Sequence, residues 1–193
     1  NCKKLINTDS AVCPFCQTSR PGSWMKNNLW TQNRSDPMMV VNVILAINVG
    51  FYILSLILNP SALSFSLNPM SMLSPDMNAL FYLGTTGTYP IDNFGRWWTL
   101  ISANWLHGSL LHIIFNMMAL RQVAFLTLRE FGLYRMLILY LLTGIAGYVA
   151  SYFAGVAFTI GASGALCGLV GALLYFGKSR GGVYGQAIYK QTS

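Results

Sequence analysis

The chain has 193 residues, 54% of them hydrophobic and only 9% charged, with a formal net charge of +7. A water-soluble domain carries roughly 25% charged residues, so the composition excludes an ordinary soluble globular protein and indicates an integral membrane protein. No basic run is interleaved with aromatics, which argues against a nucleic-acid partner; the positive balance fits membrane topology and contact with an anionic inner leaflet.

At the N-terminus, Cys2, Cys13 and Cys16 give C-x10-C-P-F-C. This is the spacing of a zinc ribbon that lacks its outermost thiolate, and it predicts a ribbon-like remnant over 1–22 with an incomplete structural zinc site. A further cysteine ahead of Asn1 would complete the site in the intact protein, and a cytosolic location would keep the thiols reduced. The alternative is a tail with incidental cysteines. Residues 23–36, rich in Asn and of mixed charge, read as a linker. The first apolar segment lies too far along the chain, and is too long, for a removable secretory leader.

A helix needs about 20 predominantly apolar residues to cross a bilayer. Four such helices are predicted, at about 37–58, 106–128, 136–158 and 161–177. The runs lack the period-two alternation of a barrel wall, so the fold class is an all-α membrane protein, a polytopic transmembrane helical bundle. The intervening stretch 59–97 is punctuated by Pro60, Pro69, Pro75 and Pro90 yet rich in apolar residues. Part of this loop is expected to lie on the membrane interface or over the helices. Trp97 and Trp98 suit the headgroup level.

A cytoplasmic N-terminus would place Lys3, Lys4, Arg20, Lys26, Arg34, Arg121, Arg129, Arg135, Lys178, Arg180 and Lys190 inside and only Arg96 outside. That distribution follows the positive-inside rule and predicts a multi-pass protein of a cell's inner (plasma) membrane.

The second helix carries His112 and Asn116 four residues apart, hence on one face. The fourth opens on Gly161-Ala162-Ser163-Gly164. Hydrolysis of an amide needs a nucleophile, a base and donors aimed at the developing oxyanion. Ser163 can supply the first, and the N–H groups of His112 and Asn116 the third. The plainer alternative is that these groups only join helices by hydrogen bonding. The two histidines are His107 and His112, and no proposed crossing contains an acid. An aspartyl protease, an H-E-x-x-H metalloprotease and a carboxylate proton relay are therefore disfavoured. Small residues at Gly164, Gly168 and Gly171, and at Gly147, Ser151 and Gly155, predict close helix packing.

Together, His107-Gly-Ser-Leu-Leu-His112-Ile-Ile-Phe-Asn116 on the second helix and Gly161-Ala-Ser163-Gly164 on the fourth resemble the rhomboid intramembrane serine proteases, over residues 37–193. The resemblance implies a six-helix core, four helices of which are present, with 178–193 forming the cytoplasmic loop before a fifth. It implies Ser163 as nucleophile, Gly161 and Gly164 as backbone room around it, and His112 and Asn116 as oxyanion stabilisers, joined by the Ser163 N–H. His107 would be structural. The family's general base, a His on the sixth helix, would lie beyond Ser193, leaving this stretch alone nearly inert.

Substrates would be transmembrane segments of other membrane proteins, met within the lipid bilayer, and no cofactor is implied for the chemistry. Two positions depart from the family pattern. Thr99 follows Trp98 where Trp-Arg is common, which would remove a brace from the first loop. Cys167 stands where an aromatic commonly follows the serine, and reads as a buried small apolar residue. Two other functions are a non-catalytic rhomboid-like protein that binds membrane helices, and a transporter or channel. The latter would carry ionisable residues along a pathway, and none is seen.

Overall fold

A computed structural model describes residues 10–17, 19, 38–58 and 72–192. The chain divides into two compact units, 1–39 and 40–193. In the first, Val12 and Ser19 form an antiparallel bridge, and the Gln17 N–H donates to the Cys13 carbonyl at 3.0 Å. Cys13 is buried and Cys16 exposed. Cys2 and the expected linker 23–36 lie outside the described residues. Among the described residues no group of three His, Cys, Asp or Glu side chains could hold a metal ion.

The second unit is helical. Helix α1, Met38–Ile57, turns Val41, Ile44, Asn48, Tyr52 and Ser55 inward at three- and four-residue spacing. Most of its polar inward groups bond locally or to the following loop, while the buried Asn48 Oδ1 accepts no hydrogen bond among the described residues. Asn48 Nδ2 donates to the Ile44 carbonyl at 2.8 Å, and the Tyr52 hydroxyl to the Leu73 carbonyl at 2.6 Å. Two short helices follow, α2 (Met77–Leu83) and α3 (Thr88–Phe94), so the predicted loop 59–97 is partly helical. Asp76 caps α2, accepting from the Asn78 N–H. Next come α4 (Thr99–Ser102) and a 3-10 turn, Ala103–Trp105. Trp97 and Trp98 are exposed, as headgroup anchors require.

Helices α5 (Leu110–Phe131) and α6 (Leu133–Phe153) form a hairpin joined by the single residue Gly132. Helix α7, Ser163–Arg180, and helix α8, Gly182–Thr192, complete the unit. Among the described residues three helices, α1, α5 and α6, are long and apolar enough to cross a membrane. Four crossings were expected; α7 is diluted by its glycines and by Lys178 and Arg180 in its last turn. Exposed Val43, Ile47, Phe115, Met118, Ile138 and Leu142 give α1, α5 and α6 apolar outer faces, suited to a hydrocarbon solvent.

Lipid gives helices no hydrophobic reason to associate, so small residues that let backbones approach carry the packing. A Cβ added at Gly147 would sit 3.4 Å from the Gly164 Cα, and one added at Gly168 would overlap the Thr143 side chain. The contact face of α6 is thus Thr143, Gly144 and Gly147, not the predicted Gly147, Ser151 and Gly155. Gly155 lies past the end of α6, and Gly171 faces open space. The 178–193 stretch, expected as a loop, is mostly helix. It packs as α8 against α7, where a Cβ on Gly177 would come within 2.9 Å of the Tyr189 nitrogen. Leu126, Leu173 and Ile188 form the apolar cluster at this end. Beside it, Glu130 accepts from the Tyr184 hydroxyl at 2.7 Å and from Arg129 Nε at 2.9 Å.

Candidate active site

Ser163 is the first residue of α7, and the residue before it, Ala162, offers no capping side chain. The N–H groups of a helix's first turn have no intrahelical acceptor, and the dipole there favours negative charge. A helix start of this kind can stabilise an anion. The sequence reaches it through Gly161, whose φ of +112° is a conformation that L side chains rarely adopt. A Cβ at Gly161 would also meet His112, 2.7 Å from Cε1 and 2.8 Å from Nε2. Glycine at 161 is therefore needed twice, for its backbone angle and for the imidazole seated against it.

Ser109 starts α5, its hydroxyl accepting from the His112 N–H at 3.2 Å. This cap places His112 in the first turn. The Gly108 N–H donates to His112 Nδ1 at 3.4 Å, which leaves the proton of a neutral ring on Nε2, the nitrogen against Gly161. His107 is fully buried and meets His112 edge to face, with ring centroids 5.0 Å apart. The His107 ring, beside the Trp105 backbone, packs as a wall behind His112. Asn116, one turn on, is buried, and its Nδ2 donates to the His112 carbonyl at 2.9 Å. One of its two amide protons is thus engaged within its own helix.

The structure seats His112 against Gly161, two residues before Ser163. No hydrogen bond joins Ser163 to His112 or Asn116, and the Ser163 side chain is exposed. Cys167 is exposed too, not buried as expected. Ser163, Cys167, Gly171 and Tyr175 follow one another at four-residue spacing along the exposed face of α7.

Sequence reading missed the support behind this site. The backbones of Thr86 and Thr159 exchange hydrogen bonds at 3.2 and 2.7 Å. The Thr99 hydroxyl donates to the Arg96 carbonyl at 2.6 Å and pairs with the Thr86 hydroxyl at 3.1 Å. Thr99 therefore braces the loop that its substitution was expected to loosen. Gly161 donates its N–H to the Ala103 carbonyl at 3.0 Å and accepts from the Tyr148 hydroxyl at 2.6 Å. Met136, Tyr140, Gly144 and Tyr148 repeat every four residues along the buried stripe of α6. A buried tyrosine hydroxyl usually finds a partner, which was the available signal.

The arrangement defines a helical membrane protein with a serine at an uncapped helix start beside a histidine. A family model, the Rhomboid domain, matches residues 94–191. The chain belongs to the rhomboid family. It is 36% identical over 108 residues to RHOMBOID-like protein 4 of Arabidopsis thaliana, covering 55% of this chain and 27% of that protein. It is 38% identical over 106 residues to RHOMBOID-like protein 5 of the same plant, covering 53% and 34%. With Rhomboid protease GluP of Bacillus subtilis it shares 41% over 85 residues, covering 44% and 17%. The aligned parts thus span about a third or less of these relatives. No solved structure gives a significant match.

Proposed function

We propose that this chain carries the nucleophile and the oxyanion-stabilising groups of a rhomboid-type intramembrane serine protease. The observation that supports it most is the seating of His112 Nε2 against Gly161, at the uncapped start of the helix that Ser163 opens. In the proposed reaction the Ser163 hydroxyl attacks a backbone carbonyl in or near a substrate's transmembrane segment and passes its proton to a base. The Ser163 N–H, His112 and Asn116 donate to the oxyanion. The base then protonates the departing amine, and water hydrolyses the acyl-enzyme.

Neither His107, walled in and fully buried, nor His112, on the oxyanion side, suits the part of general base. A histidine on a further helix of the longer protein is proposed for it. The distribution of Lys and Arg supports a cytoplasmic N-terminus, and a plasma-membrane location is proposed with it. One bacterial relative is named a protease, whereas the plant relatives are named only as RHOMBOID-like.

The test uses a serine-reactive fluorophosphonate on the full-length protein in detergent micelles. Labelling that disappears in Ser163→Ala is expected, and labelling that survives the substitution defeats the assignment. The unengaged, exposed Ser163 hydroxyl also suits a second function, retention of membrane helices without cleavage. That alternative predicts a wild-type protein that never labels but still captures a transmembrane peptide.

A further inference from the structure

Gly161 is held from three sides. Its N–H is bound by Ala103, its carbonyl by Tyr148, and the place of its missing side chain is filled by the His112 ring. Two of these contacts come from the segment 103–112, which leads into α5. Tyr148 comes from α6 and is the sole side chain that donates a hydrogen bond to Gly161 among the described residues. Its hydroxyl is buried, and it reaches across 13 positions of sequence to this one carbonyl.

We infer that Tyr148 is a positioning residue: its hydroxyl fixes the plane of the Gly161–Ala162 peptide and so orients the start of the Ser163 helix. The inference rests on the proposed protease function and adds to it a group that touches no reacting atom.

A glycine at positive φ lies in a broad region where no Cβ resists rotation. The peptide after Gly161 is thus the freest link between the Thr86–Thr159 bridge and Ser163. In a planar trans peptide the carbonyl and the next N–H point in opposite directions. With the Gly161 carbonyl held on Tyr148, the Ala162 N–H points away from it. If the peptide turned over, a carbonyl oxygen would take that direction. It would then present negative charge beside a helix start that the reaction needs positive.

Tyr140 provides the internal comparison. It lies two turns earlier on the same buried stripe, and its hydroxyl, beside the Asn48 and Asn104 side chains, makes no hydrogen bond to Gly161. A generic effect of removing a buried phenol oxygen from α6 would appear at both positions. A positioning effect appears at Tyr148 alone.

The experiment measures fluorophosphonate labelling of the full-length protein at several probe concentrations, separating the maximal inactivation rate from the half-saturating concentration. It compares wild type, Tyr148→Phe and Tyr140→Phe, with thermal unfolding recorded in parallel. The expected result for Tyr148→Phe is a maximal rate about tenfold lower, the equivalent of one lost hydrogen bond. The half-saturating concentration and the unfolding midpoint stay near wild type, and Tyr140→Phe keeps the wild-type rate.

An unchanged maximal rate in Tyr148→Phe overturns the inference while leaving Ser163 as nucleophile. So does a fall in rate that Tyr140→Phe matches. A wild-type protein that does not label strikes instead at the protease function. If Tyr148→Phe does not fold, fluorinated tyrosines at position 148 retain the hydroxyl and vary its acidity. A maximal rate that follows the acidity supports the role, and one indifferent to it overturns the role.

Discussion

Thr86 and Thr159, 73 positions apart in sequence, pair backbone to backbone with both hydrogen bonds made. That pairing binds the loop between α1 and α5 to the segment that delivers Ser163. Gly87 beside it has a φ of +133°, and a Cβ there would overlap the Ala157 carbonyl oxygen.

Gly87→Ala is therefore expected to destabilise the protein by about 1–3 kcal/mol, from backbone strain and a clash with an unyielding partner. Thr86→Ala keeps the backbone pair and loses only the hydroxyl contact with Thr99, so about 0.5–1.5 kcal/mol is expected. Thermal or denaturant unfolding in detergent ranks the two. Equal losses would show that the backbone approach is not the tighter constraint.

His112→Ala is expected to slow fluorophosphonate labelling of Ser163 by about 100- to 1,000-fold, the usual result of removing an oxyanion donor. Asn116→Ala should cost less, since one of its amide protons is committed to the His112 carbonyl. Labelling rates of the purified full-length variants decide the order, and a larger loss at Asn116 would reverse the roles assigned to the pair.

The α6–α7 contact leaves no room for a methyl group at Gly168, where Thr143 stands. Gly168→Ala should destabilise by about 1–3 kcal/mol through overpacking. Thr143→Gly, combined with it, moves the small residue to the other helix and should recover part of the loss. A double-mutant cycle measures the coupling, and additive losses would place the two residues out of contact.

At the α8 end, the Glu130 carboxylate accepts from the Tyr184 phenol and raises its pKa above the ordinary value of 10.0. A raised folded-state value means that the contact stabilises fully below the unfolded pKa and is lost as pH climbs through the folded one. Site-specific isotope labelling of Tyr184 should show its titration shifted upward, and Glu130→Gln should return it towards the ordinary value. Amide protection along α8, corrected for base-catalysed intrinsic exchange, should fall over that same alkaline range.

Much of this architecture was legible as composition. Long apolar runs located α1, α5 and α6, the three helices long and apolar enough to cross a membrane among the described residues. Boundaries were less legible because apolarity reports depth rather than helicity. Leu106 is apolar and fully buried yet extended, and α5 begins only after the Ser109 cap. Val156, Ala157 and Phe158 read as the end of a helix, whereas the backbones of Val156 and Ala157 bond to Thr88 and Tyr89. Conversely, Arg129, Glu130 and Arg135 read as a loop, while α5 and α6 run through them to Gly132.

The candidate site divides in the same manner. His112, Asn116 and Ser163 stand in local motifs and could be found by spacing. The partners of Gly161 could not, because Ala103 and Tyr148 meet it only through tertiary packing. Cys167 was misjudged for a related reason. Its exposure depends on what covers that face of α7, which a residue's own polarity does not encode.

Gly132, the lone joint between α5 and α6, has a consequence for how this region can vary. An α-helix turns by about 100° per residue, and a one-residue joint has no slack to absorb an insertion. Adding or deleting a residue anywhere from His112 to Tyr148 would swing one of them off the glycine they share. Between those two positions the polypeptide is a ruler as well as a scaffold, its length fixed along with the residues that line its contacts.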